Sequence, residues 1–475
     1  MRRSWVIYRR EGDLRGKPIS LRALTASGVA YQGIAALFAK FRTLLARPGA
    51  RSAALNLGWL VGEKLVRLVL HVGVGFAVAR HLGPMDFGKL NYVLAVVGLM
   101  GLLAELGLDG VVRRELVQAP ERALPLLVVT LILRLAGGVV SYALLISMAQ
   151  WADWKDRELL AILGLTLFQP ALMVADPWFQ SRLRAKYSVW AQVAALAVGA
   201  AGRILLIVIG APLSAFAWVI VAEMAMIGAG LFWLARRDGL RWRFRVFETR
   251  LAGRLLREAW PLMLSGLAIM LYMRMDAVML RVMSGEAAVG IYAAATRFTE
   301  IWYFLPVALA SSLLPSLLRA RERGAAVYAE RLQLCFDLNA GMAYLLSVPV
   351  ALAAPWLVRW AYGAEFAAAA PVLAVHIWSS VFVFLGIVRG QFLVNEGRTG
   401  FYLWATVAGL LVNAGLNFVL IPHHGPWGAA VATMVAQMVA AWLSSFCFAP
   451  VRETAWMQTR ALCIPVRLHH YVRRT

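Results

Sequence analysis

The sequence predicts an all-α polytopic membrane protein, with about twelve transmembrane helices in two six-helix lobes related by a pseudo-two-fold axis. Three observations carry that reading. The chain is 61% hydrophobic and only 15% charged over 475 residues, with a mean hydropathy of +0.69. Soluble domains carry roughly 25% charged residues, and a water-facing fold of this length cannot hide so much apolar surface. Lys and Arg are concentrated in alternate connections between apolar runs, and two stretches of the first half recur in the second. The composition excludes a disordered chain, a collagen-like chain and a disulfide-built secreted scaffold.

A membrane-crossing helix needs about 20 mostly apolar residues. Runs of that kind occupy 56–79, 87–107, 125–149, 158–176, 187–209, 213–235, 259–283, 290–314, 331–353, 368–393, 400–421 and 426–448. The segment before the first run holds eleven Lys and Arg against Glu11 and Asp13, and lacks a secretory signal pattern. Its residues 21–46 are basic and weakly amphipathic, suited to a tail or to an interfacial helix on an anionic leaflet.

Beyond it, positive charge returns at Arg113, Arg114 and Arg122, then at Arg182, Arg184 and Lys186. It returns again with eight residues in 236–258, four in 319–331, Arg398, and five in 452–474. The alternate connections hold little beyond Lys155, Arg157 and Arg359. By the positive-inside rule both termini are cytoplasmic. The chain then divides into a basic segment (1–52), a first lobe (53–235), a basic linker (236–258), a second lobe (259–449) and a basic tail (450–475). The net charge of +23 is divided between these loops and a few intramembrane sites, so no nucleic-acid partner is expected. Cys335, Cys447 and Cys463 have no disulfide or metal spacing.

The repeat is visible at two places. Ala79-Arg80-His81-Leu82-Gly83-Pro84 followed by Phe87-Gly88-Lys89-Leu90-Asn91-Tyr92 parallels Leu280-Arg281 followed by Val289-Gly290-Ile291-Tyr292. Each copy sets an Arg at the end of one span and a Gly-containing turn before the next. Residues 203–223 also lie without a gap over 417–437. Six spans return the chain to its starting side, so such repeats are parallel.

These stretches also carry a family resemblance. ARHLGPMDFGKLNYVLA (79–95), ELGLDGVVRREL (105–116), the segment 274–306, WLVRWAYGAEFAAAAPVLAVHIWS (356–379) and LNFVLIPHHGPWGAAVAT (416–433) occur in one order. That order resembles the polysaccharide and oligosaccharide flippases of the multidrug/oligosaccharidyl-lipid/polysaccharide superfamily. The resemblance implies a two-lobed transporter that opens its central cavity alternately to each face of a bacterial cytoplasmic (inner) membrane. It implies an undecaprenyl-diphosphate-linked oligosaccharide as cargo, such as an exopolysaccharide or O-antigen unit, moved from the cytoplasmic to the outer leaflet. The expected partners are this lipid-linked glycan, membrane lipids, and a polysaccharide polymerase with its export machinery.

Charges inside the spans are rare because each costs roughly 2.5–3.5 kcal/mol at mid-helix. In the first span Glu63, Lys64, Arg67 and His71 share one stripe. A Glu63–Arg67 pair at i,i+4 would leave Lys64 as a free cation. In the seventh span Arg274 and Arg281 share a face, while Asp276 points away from it; in the eighth, Arg297 and Glu300 are i,i+3 neighbours. A diphosphate crossing a low-dielectric slab needs donors, and guanidinium forks match its oxygens.

Lys64, Arg67, Arg274 and Arg297 are therefore the candidates for the diphosphate or the cavity wall. Glu63, Asp276 and Glu300 are candidates for ion coupling or structural pairing. Asn413, Asn417 and Gln391 are candidates for sugar hydroxyls, with Trp302 and Tyr303 as aromatic faces. Arg80, Arg281 and Arg389 lie near span ends, where long side chains snorkel. Arg134, Arg203 and Glu223 are single charges in other spans.

Gly16-Lys17 runs into Pro18 and is no phosphate-binding loop; HExxH, CxxC and GxSxG are missing from the chain. No enzyme activity, cofactor or metal is expected, and transport would draw on an ion gradient, the membrane potential or removal of product. A drug or metabolite antiporter of the same superfamily is the alternative. A membrane glycosyltransferase or polymerase fits the short outer connections less well.

Overall fold

The structure is a computed structural model. It describes residues 48–467 apart from 152–155, 183, 241 and 243–245, and only the backbone of 48–69, 71, 265 and 315. The basic stretch at 21–46 lies outside the described residues, as do the side chains of Glu63, Lys64, Arg67 and His71. Ser52–Arg467 form one compact unit.

Among the described residues every regular element is a helix. In chain order these are α1 (Pro48–Glu105), α2 (Leu108–Gln118), α3 (Ala123–Trp151), α4 (Arg157–Gly164), α5 (Gln169–Leu172), α6 (Asp176–Ser181), α7 (Ala185–Val208) and α8 (Leu213–Arg237). The second half holds α9 (Thr249–Ser284), α10 (Glu286–Glu300), α11 (Phe304–Glu322), α12 (Ala325–Tyr362), α13 (Ala369–His376), α14 (Ser379–Asn395), α15 (Thr399–Ala441) and α16 (Arg452–Leu462).

Ten of the described helical segments are long and apolar enough to cross a membrane. Two of the ten pass through a non-helical glycine, Gly83 in α1 and Gly425 in α15. Each such glycine is followed by a proline, whose fixed φ and missing N–H suit the first position of a new helix. The runs 56–79 and 87–107 thus meet at Gly83, and 400–421 and 426–448 meet at Gly425. That is how twelve apolar runs become ten unbroken segments. Proline-centred adjustments also split the fourth run into α4, α5 and α6.

Packing follows the two halves of the chain. Among the described elements α2–α8 pack on one another, and α9–α16 do likewise, with α9 against α15 as the most extensive pair. Contacts between the halves gather at the two ends. At the end carrying the basic connections, α9 runs beside α2 and α3. There Arg114 pairs with Glu258, and Arg254 with Glu115 at 3.1 Å. Gly107 sits so close to Ala259 and Met263 that a methyl group on it would strike their backbone.

At the opposite end Gly88 faces Gly290. A methyl on Gly88 would collide with the Glu286 carbonyl, and one on Gly290 with the Pro84 carbonyl. The glycines that open the two turns, Gly83 (φ 68, ψ 174) and Gly285 (φ 86, ψ −177), share a backbone conformation open essentially to glycine. An aromatic cluster surrounds this crossing: Phe76 lies 5.3 Å from Phe298 and 4.9 Å from Tyr362, and Phe87 5.9 Å from Phe366. Arg80 donates to the Trp360 carbonyl, and Arg281 pairs with Glu286 at 2.5 Å and Asp156 at 3.7 Å. Arg281 is therefore an ion-pair partner across the halves rather than a snorkelling end charge.

Candidate substrate and coupling site

The thirty-six residues of α9 present two chemically different faces near its far end. Asp276 points into the second half and is 4% exposed. Arg274, two residues earlier, is exposed. A 200° step between i and i+2 puts them on nearly opposite sides of the helix.

Asp276 is held by three neutral donors from two neighbouring helices. Tyr292 of α10 donates to its Oδ2 at 2.5 Å, and Thr433 of α15 to the same oxygen at 2.6 Å. Asn417 of α15 donates to Oδ1 at 2.6 Å and to Asn413 Oδ1 at 3.1 Å. Asn413 and Asn417 are fully buried. Their amides serve this network, so in this conformation they are not presented to a sugar. No Lys, Arg or His forms an ion pair with Asp276 among the described residues.

A buried carboxylate costs several kcal/mol to desolvate unless something compensates it. Here that compensation comes from hydrogen bonds alone. The Tyr292 and Thr433 hydroxyls and the Asn417 amide satisfy both oxygens of the carboxylate in one closed network. His376 stands one layer further in, with Nδ1 3.1 Å from Thr299 Oγ1 and its ring edge-on to Tyr292 at 5.7 Å. Among the described residues no group of three or more His, Cys, Asp or Glu converges to hold a metal ion.

The other face gathers the cations. Arg297 of α10 reaches α1, where its guanidinium lies over Gly75 so closely that a Cβ there would displace it. It also lies 5.5 Å from the Phe87 ring. No ion pair joins Arg297 to Glu300 among the described residues, but the fields of Arg274 and Arg297 both act on the Glu300 carboxylate. Arg274 of α9 and Arg297 of α10 thus both lie within electrostatic reach of Glu300. Glu300, like Arg274, is exposed. Gln391 is half-buried on α14 and takes no part in the Asp276 network.

Other intramembrane charges find structural partners. Arg203 pairs with Glu223 at 2.6 Å, and Gly199 leaves the space that the carboxylate fills. Arg134 donates to Asp109 and to the Pro170 carbonyl at 3.0 Å. Arg389 does not snorkel: it is 3% exposed and donates to Ser444 at 2.8 Å and Ser445 at 2.9 Å. The sequence shows Arg389 close to a span end, but not the serine-rich turn, 55 residues on, that closes over it.

Sequence and structure comparisons agree with this architecture. A family model described as "Polysaccharide biosynthesis protein" matches residues 54–321. The chain is 21% identical over 392 residues to a probable low-salt glycan biosynthesis flippase, Agl15, of Haloferax volcanii, covering 79% of this chain and 80% of that protein. It is 26% identical over 261 residues to the uncharacterized membrane protein YabM of Bacillus subtilis, covering 51% of this chain and 47% of that one. Its fold is similar to an inward-facing multidrug resistance MATE family transporter, with a TM-score of 0.65 and 18% identity over 84% of this chain and 95% of that one. It is also similar to the lipid II flippase MurJ in an inward closed conformation, with a TM-score of 0.63 and 13% identity over 88% and 93% of the two chains.

Proposed function

Because the chain belongs to the polysaccharide biosynthesis protein family and is a multi-pass, flippase-like membrane transporter, we propose that it moves a lipid-linked oligosaccharide. The cargo is an undecaprenyl-diphosphate-linked unit, carried from the cytoplasmic to the outer leaflet of the bacterial inner membrane by alternating access. The two halves of the chain act as the two lobes. Arg274 and Arg297 meet the diphosphate, with Arg67 and Lys64 from the first span on the same path. Glu300 serves beside them in ion coupling or structural pairing. Asp276 couples the cycle to a proton or a monovalent cation.

The observation that carries this reading is the division of α9 between the exposed Arg274 guanidinium and the buried Asp276 carboxylate. A charged headgroup on one side of a helix and a coupling ion on the other can each bias the position of that helix. Coupling needs only that each ligand prefers one arrangement of the shared element. The exposed Arg274 and the half-buried Arg297 favour an anionic cargo over the organic cations of a drug antiporter.

The test is export of the lipid-linked glycan in a deletion strain carrying variants. Without the gene, a lipid-linked glycan should accumulate on the cytoplasmic leaflet. Arg274→Ala and Arg297→Ala should leave membrane levels normal and stop export, with Lys restoring it in part. Asp276→Asn should permit slow export that no longer responds to the ion gradient. Full export from a stably inserted Arg274→Ala/Arg297→Ala double variant would defeat the diphosphate assignment.

A further inference from the structure

Arg297 belongs to the second half of the chain, yet its guanidinium sits on the first. Gly290 and Arg297 lie seven residues apart on α10, two turns along one face. Both meet the first half. Gly290 presses on the Pro84 carbonyl and on the backbone of Gly88. Arg297 stands about 10 Å deeper at 1.5 Å per residue, toward the middle of the bundle.

Its guanidinium occupies the place where a side chain on Gly75 would stand: a Cβ there would come within 2.5 Å of Nη1. The Phe87 ring lies 5.5 Å away, inside the range of a cation–π contact. Phe76 and Phe298, the sequence neighbours of Gly75 and Arg297, pack against each other at 5.3 Å and hold α1 and α10 in register beside it. All of these contacts exist only while the halves meet at this end, because Gly75 and Phe87 lie on α1 and Arg297 on α10.

The rest of this crossing is glycine backbone and aromatic rings, which offer an anion nothing to displace. Arg297 differs. It carries a full charge and is half-buried rather than sealed. Among the described residues it closes no hydrogen bond or ion pair. Close packing and a ring face are what dock it. A ring face holds guanidinium less firmly than two phosphate oxygens do through charge-assisted hydrogen bonds. Nη1 lies too close to α1 for an oxygen to enter between them, so phosphate oxygens on both Nη atoms compete with the seat at Gly75.

We propose that Arg297 is a releasable latch on the Gly88–Gly290 contact. Docked on Gly75 and Phe87, it holds the halves together at that end. A diphosphate group that takes its guanidinium undocks it and lets the halves part. Docking follows from the contacts of α1 and α10, while release rests on the reading of Arg297 as a diphosphate contact. One side chain thus links the arrival of cargo to the contact that must open for it.

Spin labels on Val208→Cys and Val282→Cys, exposed sites in opposite halves, follow the separation by double electron–electron resonance. The full-length chain is used, with Cys335→Ala, Cys447→Ser and Cys463→Ser removing the native thiols. Without ligand, Phe87→Leu keeps apolar bulk and removes the ring face. It should raise the ratio of separated to closed molecules about fivefold, within the range of one cation–π contact. Gly75→Val, which fills the seat, and Arg297→Gln should act in the same direction. If Gly75→Val fails to fold, the other two carry the test. Inorganic pyrophosphate should separate the halves saturably when Gly75, Phe87 and Arg297 are intact, and sodium chloride at equal ionic strength should not. Binding of radiolabelled pyrophosphate is measured on the same samples. Unchanged distances in folded Phe87→Leu and Arg297→Gln overturn the latch. Pyrophosphate whose binding is lost in Arg297→Gln, yet which leaves the distance unchanged, overturns release while the diphosphate reading stands; so does equal separation by the salt. Pyrophosphate that does not bind removes that reading and release together, and the ligand-free variants decide docking.

Discussion

At the scale of single residues, the Asp276 network makes the sharpest forecast. Asp276→Ala leaves the Tyr292 hydroxyl, the Asn417 amide and the Thr433 hydroxyl without their shared acceptor. A buried polar group left unsatisfied costs about 1–3 kcal/mol. Thermal unfolding in detergent should therefore rank wild type above Asp276→Asn, and Asp276→Ala lowest; equal midpoints would mean the network holds nothing together. Gly75 offers a second check, on a different property. Gly75→Val should push the Arg297 guanidinium off α1 and cut export roughly tenfold, about 1.4 kcal/mol, with no loss of protein from the membrane.

These residues were only partly legible in sequence. Asp276 stood out because a carboxylate is rare in a span. Asn413 and Asn417 stand out as polar groups, but the acid that Asn417 serves is 141 residues away. Their i,i+4 spacing on an apolar helix was the available signal, since it places both amides on one face. Arg389 was misjudged because distance from a span end says nothing about what folds over it.

At the scale of elements, the turns decide more than the spans do. Gly83 and Gly285 hold the same glycine-only conformation, which costs another residue about 1–3 kcal/mol. Gly83→Ala and Gly285→Ala should each lower the unfolding midpoint. Gly98→Ala, in open space on the same helix as Gly83, should not; an equal loss at Gly98 would mean that any change to α1 is damaging. Gly88→Ala should act differently, on the cycle: its methyl collides with backbone, so the halves cannot meet and export falls. The spans themselves were readable because an apolar run of membrane length has few alternatives. The breaks at Gly83 and Gly425 are readable from the Gly-Pro pair at each. The short helices α4, α5 and α6 were not, because a run of apolar residues does not reveal where its hydrogen bonds change register.

At the scale of the whole molecule, reporters fused after Gly110, Arg237 and Gly324 should fall on one side of the membrane and one at Ala364 on the other. Arg237 scoring with Ala364 would break the arrangement of six spans per half. The Gly88–Gly290 crossing gives that symmetry a history. Each glycine meets the carbonyl four residues before the other, so the contact is the same seen from either side. That is the geometry of an isologous interface, where one patch meets its own copy. A half-length ancestor joined as a homodimer would have used a single glycine twice, and any side chain there would have struck both subunits at once. In one chain the two glycines are separate positions, so each can be substituted alone and the two effects compared.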